Sequence, residues 1–302
     1  MTLKNSQSRL NPWTLPHSPE QGFTLLELMV SAAVLLIVVG VAVNYIALTV
    51  QRSKAEQTKV DLTQEGREFV DEFERDVHQI GFPGCADFDT GGATSCATSA
   101  NYNNANIAAG IISISSTNLV FEGDVNGDGV VDSVQYQLVD SAGTYPPATT
   151  CPCTLQRSQV AKTNTGAAPA SYTQLTKWSQ ELQNVVNSGV PTGGAVYGNG
   201  LNISGNLMNS STTNTAYYAA VATFKDFPVI SAYDASGTLI QLPLDNTTAT
   251  GQSNLTQIKT IRLTINLLGS ATAGYDLQTK TRPVVTLVGD ARRNNMMPGE
   301  VQ

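Results

Sequence analysis

Histidine is nearly missing from this chain: two occur in 302 residues, His17 and His78. A multi-histidine zinc centre or a two-histidine iron triad therefore has no ligand set within one copy. Charge is scarce as well. Only 14% of residues are Asp, Glu, Lys or Arg, and 17 basic against 24 acidic side chains leave a formal net charge of -7. That balance lacks the basic face of a general nucleic-acid binder, so no nucleic-acid partner is expected. There is no nucleophile elbow, phosphate loop or zinc-protease helix, so no enzyme is expected and no residue is named catalytic. Cysteine occurs four times, in two local pairs, Cys85/Cys96 and Cys151/Cys153. An even count in an exported chain favours disulfides over metal ligands, with three connectivities open. A bond across the single residue between Cys151 and Cys153 is strained, and the spacing is not that of a redox motif. Pairing of either one with Cys85 or Cys96 stays open.

What the chain does have is a long apolar run. From Phe23 to Val50 it reads FTLLELMVSAAVLLIVVGVAVNYIALTV, with one charge, Glu27, before Arg52. The run exceeds the ~20 residues needed to cross a hydrocarbon core. It is also longer than the core of a secretory signal, and apolar sequence continues past the small residues Ser31 to Ala33 that imitate a cleavage site. Ahead of it lies a polar leader in which Pro12, Pro16 and Pro19 disfavour helix. Lys4 and Arg9 on one side are matched by Arg52, Lys54 and Lys59 on the other, so charge bias leaves orientation open.

Gly22 followed by FTLLELMV resembles the type IV prepilin signature. The resemblance implies cleavage by the prepilin peptidase between Gly22 and Phe23, N-methylation of Phe23, and an assembly role for Glu27. It further implies a cytoplasmic leader, a single inner-membrane pass with a periplasmic head, and later incorporation into an extracellular filament. The implied partners are other major and minor pilins, the inner-membrane assembly platform and the bilayer. The physics of Glu27 fits such a role. A carboxylate at the centre of a spanning helix costs roughly 2.5–3.5 kcal/mol, and less near the interface. Pairing with a neighbouring subunit's Phe23 amine would offset that cost and set axial register; the alternative is a glutamate that snorkels to water.

Helical signals persist from Arg52 to Ile80 without proline. Leu62, Gly66, Phe69, Phe73, Val77 and Ile80 recur at three- and four-residue steps and draw one apolar stripe, with Glu65, Glu68, Glu72, Arg75 and Asp76 opposite. A helix from Phe23 to Ile80 would run roughly 87 Å at 1.5 Å per residue. Gly81, Pro83 and Gly84 are expected to stop it. The stretch GREFVDEFERDVHQIGFPGC, Gly66 to Cys85, resembles the corresponding segment of PilW-type minor pilins, and the type II secretion pseudopilins share the helix plan. Cys85 and Cys96 are then expected to close a small loop behind the helix, the alternative being free buried thiols.

Beyond Gly81 strand patterns dominate: Ile111 to Ser115, Leu119 to Glu122, Val134 to Val139, Tyr217 to Phe224, Leu239 to Leu244, Ile258 to Leu268 and Val284 to Val288. A short helix is expected around Tyr172 to Asn187. Residues 86–110 and about 160–215 read as Ser/Thr/Asn/Gly/Ala-rich loops. Asp124, Asn126, Asp128, Gly129 and Asp132 reproduce the spacing of a calcium loop, with Val130 offering its carbonyl and Gln135 standing where an EF-hand has its bidentate glutamate. The flanks read as paired strands. Either the segment is a calcium-binding β-turn, with Ca2+ the one cofactor to consider, or it is an Asp/Asn/Gly turn chosen for its backbone conformations.

The expected fold class is α+β: a long N-terminal helix packed on a β-rich, loop-rich head. Its parts are a leader, 1–22; a membrane and assembly helix, 23–51; an amphipathic continuation, 52–80; and a head, 81–302. A minor pilin is the leading functional expectation. Alternatives are a type II secretion pseudopilin and a calcium-dependent adhesin at a filament tip.

Overall fold

The computed structural model describes residues 22–84, 105–140, 142–145, 147, 152–163, 175, 177–187, 227–270 and 282–293. The chain divides into two compact units, Met1–Thr49 and Val50–Gln302. One helix, α1 (Leu25–His78), supplies the described core of the first and the opening segment of the second. In the first unit every described residue is exposed, Phe23 at 85% and Leu36 at 70% among them. A helix that is apolar all round and covered by no described residue suits lipid or other helices around it. Two of its hydroxyls bond back to the helix: Ser31 Oγ donates to the Glu27 carbonyl at 2.8 Å and Thr49 Oγ1 to the Tyr45 carbonyl at 2.9 Å.

In the second unit the apolar stripe meets a sheet. Leu62, Gly66, Phe69, Phe73, Val77 and Ile80 are all buried, and Ala55 and Val70 join them. Among the described residues ten antiparallel strands follow: β1 (Ile111–Ser115), β2 (Asn118–Gly123), β3 (Asp132–Val139), β4 (Cys153–Ala161), β5 (Trp178–Val185), β6 (Ile230–Tyr233), β7 (Leu239–Ile240), β8 (Leu244–Asp245), β9 (Thr260–Leu268) and β10 (Val284–Arg292). Their order is β7-β6-β9-β5-β4-β3-β2-β1-β8, with β10 along the other edge of β9. A short helix, α2 (Ala249–Thr256), is N-capped by the Thr248 side chain, which accepts from the Gly251 amide. The α+β expectation is borne out: a long apolar helix followed by an antiparallel sheet.

Alternation puts Ile261, Leu263, Ile265 and Leu267 of β9 on the buried face. Helix and sheet approach closely at Gly66, where a Cβ would stand 1.9 Å from Leu287 Cδ1 and 3.2 Å from Leu267 Cδ1. Tyr136 of β3 is fully buried among Phe69, Phe73 and Phe121, with ring centroids 5.2 to 6.4 Å away. A smaller cluster of Ile112, Val120 and Leu175 forms separately, with Val160 and Trp178 packed against it.

Several expectations change. The helix foreseen at Tyr172 to Asn187 is strand β5 over its described part: its Ser, Gln and Glu residues suit a helix, but Leu182 and Val185 pair with Leu155 and Cys153 of β4 and are buried. Neighbouring strands override local preference here. Asn184, at φ 61, sits where this pairing is irregular, in a conformation asparagine tolerates. The strand foreseen at Leu239 to Leu244 is two, because Pro243 lacks a donor and the halves pair with different strands, β6 and β1. The loop foreseen at about 160–215 contains the end of β4 and all of β5. Asp76, assigned to the polar face, is 1% exposed. Strand Tyr217 to Phe224 lies outside the described residues.

Candidate functional site

The N-terminal site begins with the start of α1. Thr24 precedes the helix, and Glu27 occupies its first turn. The Glu27 amide donates to Thr24 Oγ1 at 3.2 Å, while Glu27 Oε2 accepts from the Thr24 amide and hydroxyl, both at 3.2 Å. This reciprocal pattern is a capping box, and it satisfies two of the amides that a helix start leaves without partners. The sequence reading missed this local duty, although Thr-x-x-Glu ahead of an apolar run is its signal. Phe23 and Gly22 are exposed immediately before the cap, so the Gly22–Phe23 bond is not shielded by described residues. Among the described residues α1 is the one helix long and apolar enough to cross a membrane, with a mean hydropathy of 2.6 over its most apolar window.

The acidic turn joins β2 to β3. Its backbone is braced by the helix end, where the Asp124 amide donates to the Phe82 carbonyl at 2.7 Å and the Gly81 amide to the Glu122 carbonyl at 2.9 Å. Asp124 Oδ1 accepts from the amides of Gly127 (2.8 Å) and Asp128 (3.2 Å), and Oδ2 from Gly129 (3.0 Å). Gly127 and Gly129 have φ of 73 and 82, which lets the amides turn inward. Asn126 Nδ2 donates to Asp128 Oδ2 at 2.9 Å, and Asp128 Oδ1 accepts the Val130 amide at 2.8 Å. Asp132 is buried and accepts from Gln159 Nε2 at 2.6 Å. Its carboxyl is held above the ordinary range by burial first, against the lowering hydrogen bond from Gln159, with the Asp128 and Asp124 charges adding to the rise.

These placements bring Asp124, Asn126 and Asp128 together but not Gln135. That side chain donates instead to Asn118 Oδ1 at 2.6 Å. Among the described residues no group of three or more His, Cys, Asp or Glu converges tightly enough to hold a metal. As placed, the Asp124 and Asp128 carboxylate oxygens accept from backbone amides and from Asn126 Nδ2. Of the four cysteines, Cys153 is described; it is disulfide-bonded and fully buried. Cys85, Cys96 and Cys151, its candidate partners, lie outside the described residues.

Two buried ionic groups were not anticipated. Arg157 of β4 donates to Asp76 Oδ2 through Nε (2.9 Å) and Nη2 (2.7 Å), and the Tyr136 hydroxyl donates to the same oxygen at 2.6 Å. Glu72 stands 3.5 Å from Arg157. Lys162 donates to Glu122 Oε2 and to the Ile107 carbonyl, both at 2.7 Å, with lysine and glutamate side chains at 0% exposure. Sequence offers no signal for such pairs, since their members lie 40 and 81 positions apart.

The comparison with known families bears on the N terminus alone. The family described as the prokaryotic N-terminal methylation motif matches residues 17–43. That span contains Gly22, Phe23, Thr24 and Glu27. The match supports a type IV pilin- or pseudopilin-like protein, processed at its N terminus. No curated protein and no solved structure matches the chain.

Proposed function

We propose that this chain is a minor pilin, of the kind the PilW-type subunits represent, cleaved between Gly22 and Phe23 and built into a filament through α1. The observation that carries the reading is the methylation motif lying on a helix whose first half is apolar on every side and covered by no described residue. Such a surface suits lipid first and a bundle of like helices afterwards. On this reading the subunit is structural and not an enzyme, with the head held in the periplasm before assembly. Glu27 keeps its cap bonds to Thr24 through Oε2 and meets the Phe23 amine of a neighbouring subunit through Oε1. A pseudopilin of type II secretion uses the same helix plan and is the alternative; loss of pili against loss of secretion in a deletion strain separates the two.

The test is mass spectrometry of purified filaments from strains carrying the natural chain or Glu27→Gln. The natural chain is expected in filaments with a methylated Phe23 terminus. The variant is expected to be cleaved normally but to fall at least about tenfold in filaments, as a lost buried charge pair predicts. Equal incorporation of both would remove Glu27 from assembly.

Calcium in the acidic turn is the second reading. Its support is the calcium-loop spacing of Asp124, Asn126, Asp128 and Asp132, together with the Asp128 and Asp124 charges that help hold the Asp132 carboxyl above its ordinary range. Binding would require Asn126 and Asp128 to give up their mutual hydrogen bond. A calcium-dependent contact at a filament tip would follow from it. Thermal unfolding of the full chain with calcium and with chelator should then differ, since a ligand that binds only the folded state stabilises it. Coincident melts would sink the metal reading.

A further inference from the structure

The outer face of the sheet carries a hollow. Alternation along β9 sends Ile261, Leu263 and Ile265 into the core, so Arg262, Thr264 and Asn266 face the other way. Across from them on β10 stand Asp290, Val288 and Thr286, and Ser231 of β6 stands beside Arg262. Over these residues lies a cavity of about 490 Å³. Phe227, Leu239 and Val288 line it, and they are 49%, 49% and 54% exposed. Single exposed apolar side chains are ordinary on a protein surface; three around one hollow mark a binding site.

Two buried polar groups open into the same space. Asn266 is 1% exposed, and its Oδ1 accepts from Thr286 Oγ1 at 2.6 Å. Its Nδ2 donates to no group among the described residues. Ser231 is 6% exposed, and its hydroxyl likewise has no partner among the described residues. Native interiors rarely leave such groups unmatched, because an unmade bond forfeits the hydration given up on burial. Arg262 bounds the far end of the hollow, ~13 Å from Asn266 at four residues of strand. Its guanidinium is already engaged: it donates to Asp290 Oδ1 at 2.6 Å and Oδ2 at 2.9 Å, and lies 5.1 Å from the Tyr233 ring centroid. The two rim charges therefore offset one another.

We propose that this hollow is a binding site for a small uncharged amphipathic molecule, an apolar ring or chain carrying a carbonyl-type oxygen. The oxygen accepts from Asn266 Nδ2, the apolar body lies against Phe227, Leu239 and Val288, and Ser231 serves a second polar group nearer Arg262. An ion is disfavoured, since it would lose water in an apolar hollow whose charges are already paired. An extended peptide is disfavoured too, because it brings a backbone donor and acceptor at every residue, more than these groups can match. Volume and lining are those of ordinary small-molecule pockets, which span about 300–1,000 Å³ and place few polar groups among many apolar ones. The site is independent of the methylation motif, so it stands or falls apart from the pilin reading.

The test is a methyl NMR titration of the full chain in detergent micelles, isotope-labelled at its Ile, Leu and Val methyl groups. The probe is N-benzylacetamide, an apolar ring with one carbonyl and no charge; phenylacetate and benzylamine are its anionic and cationic counterparts. The amide should shift the Leu239, Leu242 and Val288 signals along one saturating curve, with both ions at least about tenfold weaker. Asn266→Asp should weaken the amide about tenfold, because it replaces the donor with an acceptor. Val288→Arg, at an exposed position, should abolish binding by filling the hollow, while the Ile261 and Leu263 signals on the core face hold their positions and report an intact fold. Shifts that never saturate, ions that bind as well as the amide, or undiminished binding in either folded variant would each overturn the proposal.

Discussion

Glu27 and Asp132 are both carboxylates, and their surroundings ask opposite things of them. Glu27 accepts two bonds from Thr24, so its charge is used by the helix start before any neighbour arrives. Asp132 is buried near Asp124 and Asp128, and its pKa is raised. A raised carboxyl binds its proton more tightly folded than unfolded, so its contribution to stability is fully present below the ordinary aspartate range. That contribution is lost as pH rises through the folded value. Asp132→Asn is therefore expected to raise the melting temperature near pH 7, with the gain shrinking to nothing as pH falls below about 4. Melts of both proteins across that window check the sign; a variant less stable at pH 7 would show that the Gln159 bond to the charged form outweighs the repulsion.

At the scale of elements, α1 was legible because periodicity survives folding. Six apolar positions at three- and four-residue steps predicted a buried stripe, and all six are buried. Gly66 within that stripe is there for space: the helix backbone lies against Leu267 and Leu287. Gly66→Leu improves helix propensity by up to about 1 kcal/mol. It also drives a side chain into the packed seam, which costs typically 1–3 kcal/mol or more. Net destabilisation of about 1–2 kcal/mol is expected in denaturant unfolding; an unchanged midpoint would mean that half-buried Leu287 simply swings aside. Strand β5 was not legible, because WSQELQNV carries too few apolar residues to announce a strand. Its identity comes from β4 alongside it, and the break between β7 and β8 likewise follows from two different neighbours.

At the scale of the head as a whole, two ionic contacts join segments far apart in the chain. Asp76 of α1 and Arg157 of β4 meet beneath Tyr136, and Lys162 ties residue 107 to β2. Removing one member of a buried pair leaves the other charge without compensation. Arg157→Met is expected to cost about 3–5 kcal/mol. The double variant D76L/R157M should recover much of that loss, because the apolar replacement removes both charges together. Equilibrium unfolding of the single and double variants measures the coupling, and additive losses would show that the pair contributes no more than its separate side chains.

The sequence by itself determined the processing motif, the apolar run, the amphipathic stripe and the alternating strands, because each is written in residues that are neighbours along the chain. Helix and strand periods depend only on local geometry, and the motif is read over consecutive residues. The tertiary structure alone decided that Asp76 turns inward, that Gln135 faces Asn118 instead of the acidic turn, and that Glu122 finds Lys162. Burial and pairing of polar groups depend on which distant strand or helix lies opposite, and no local pattern encodes that neighbour.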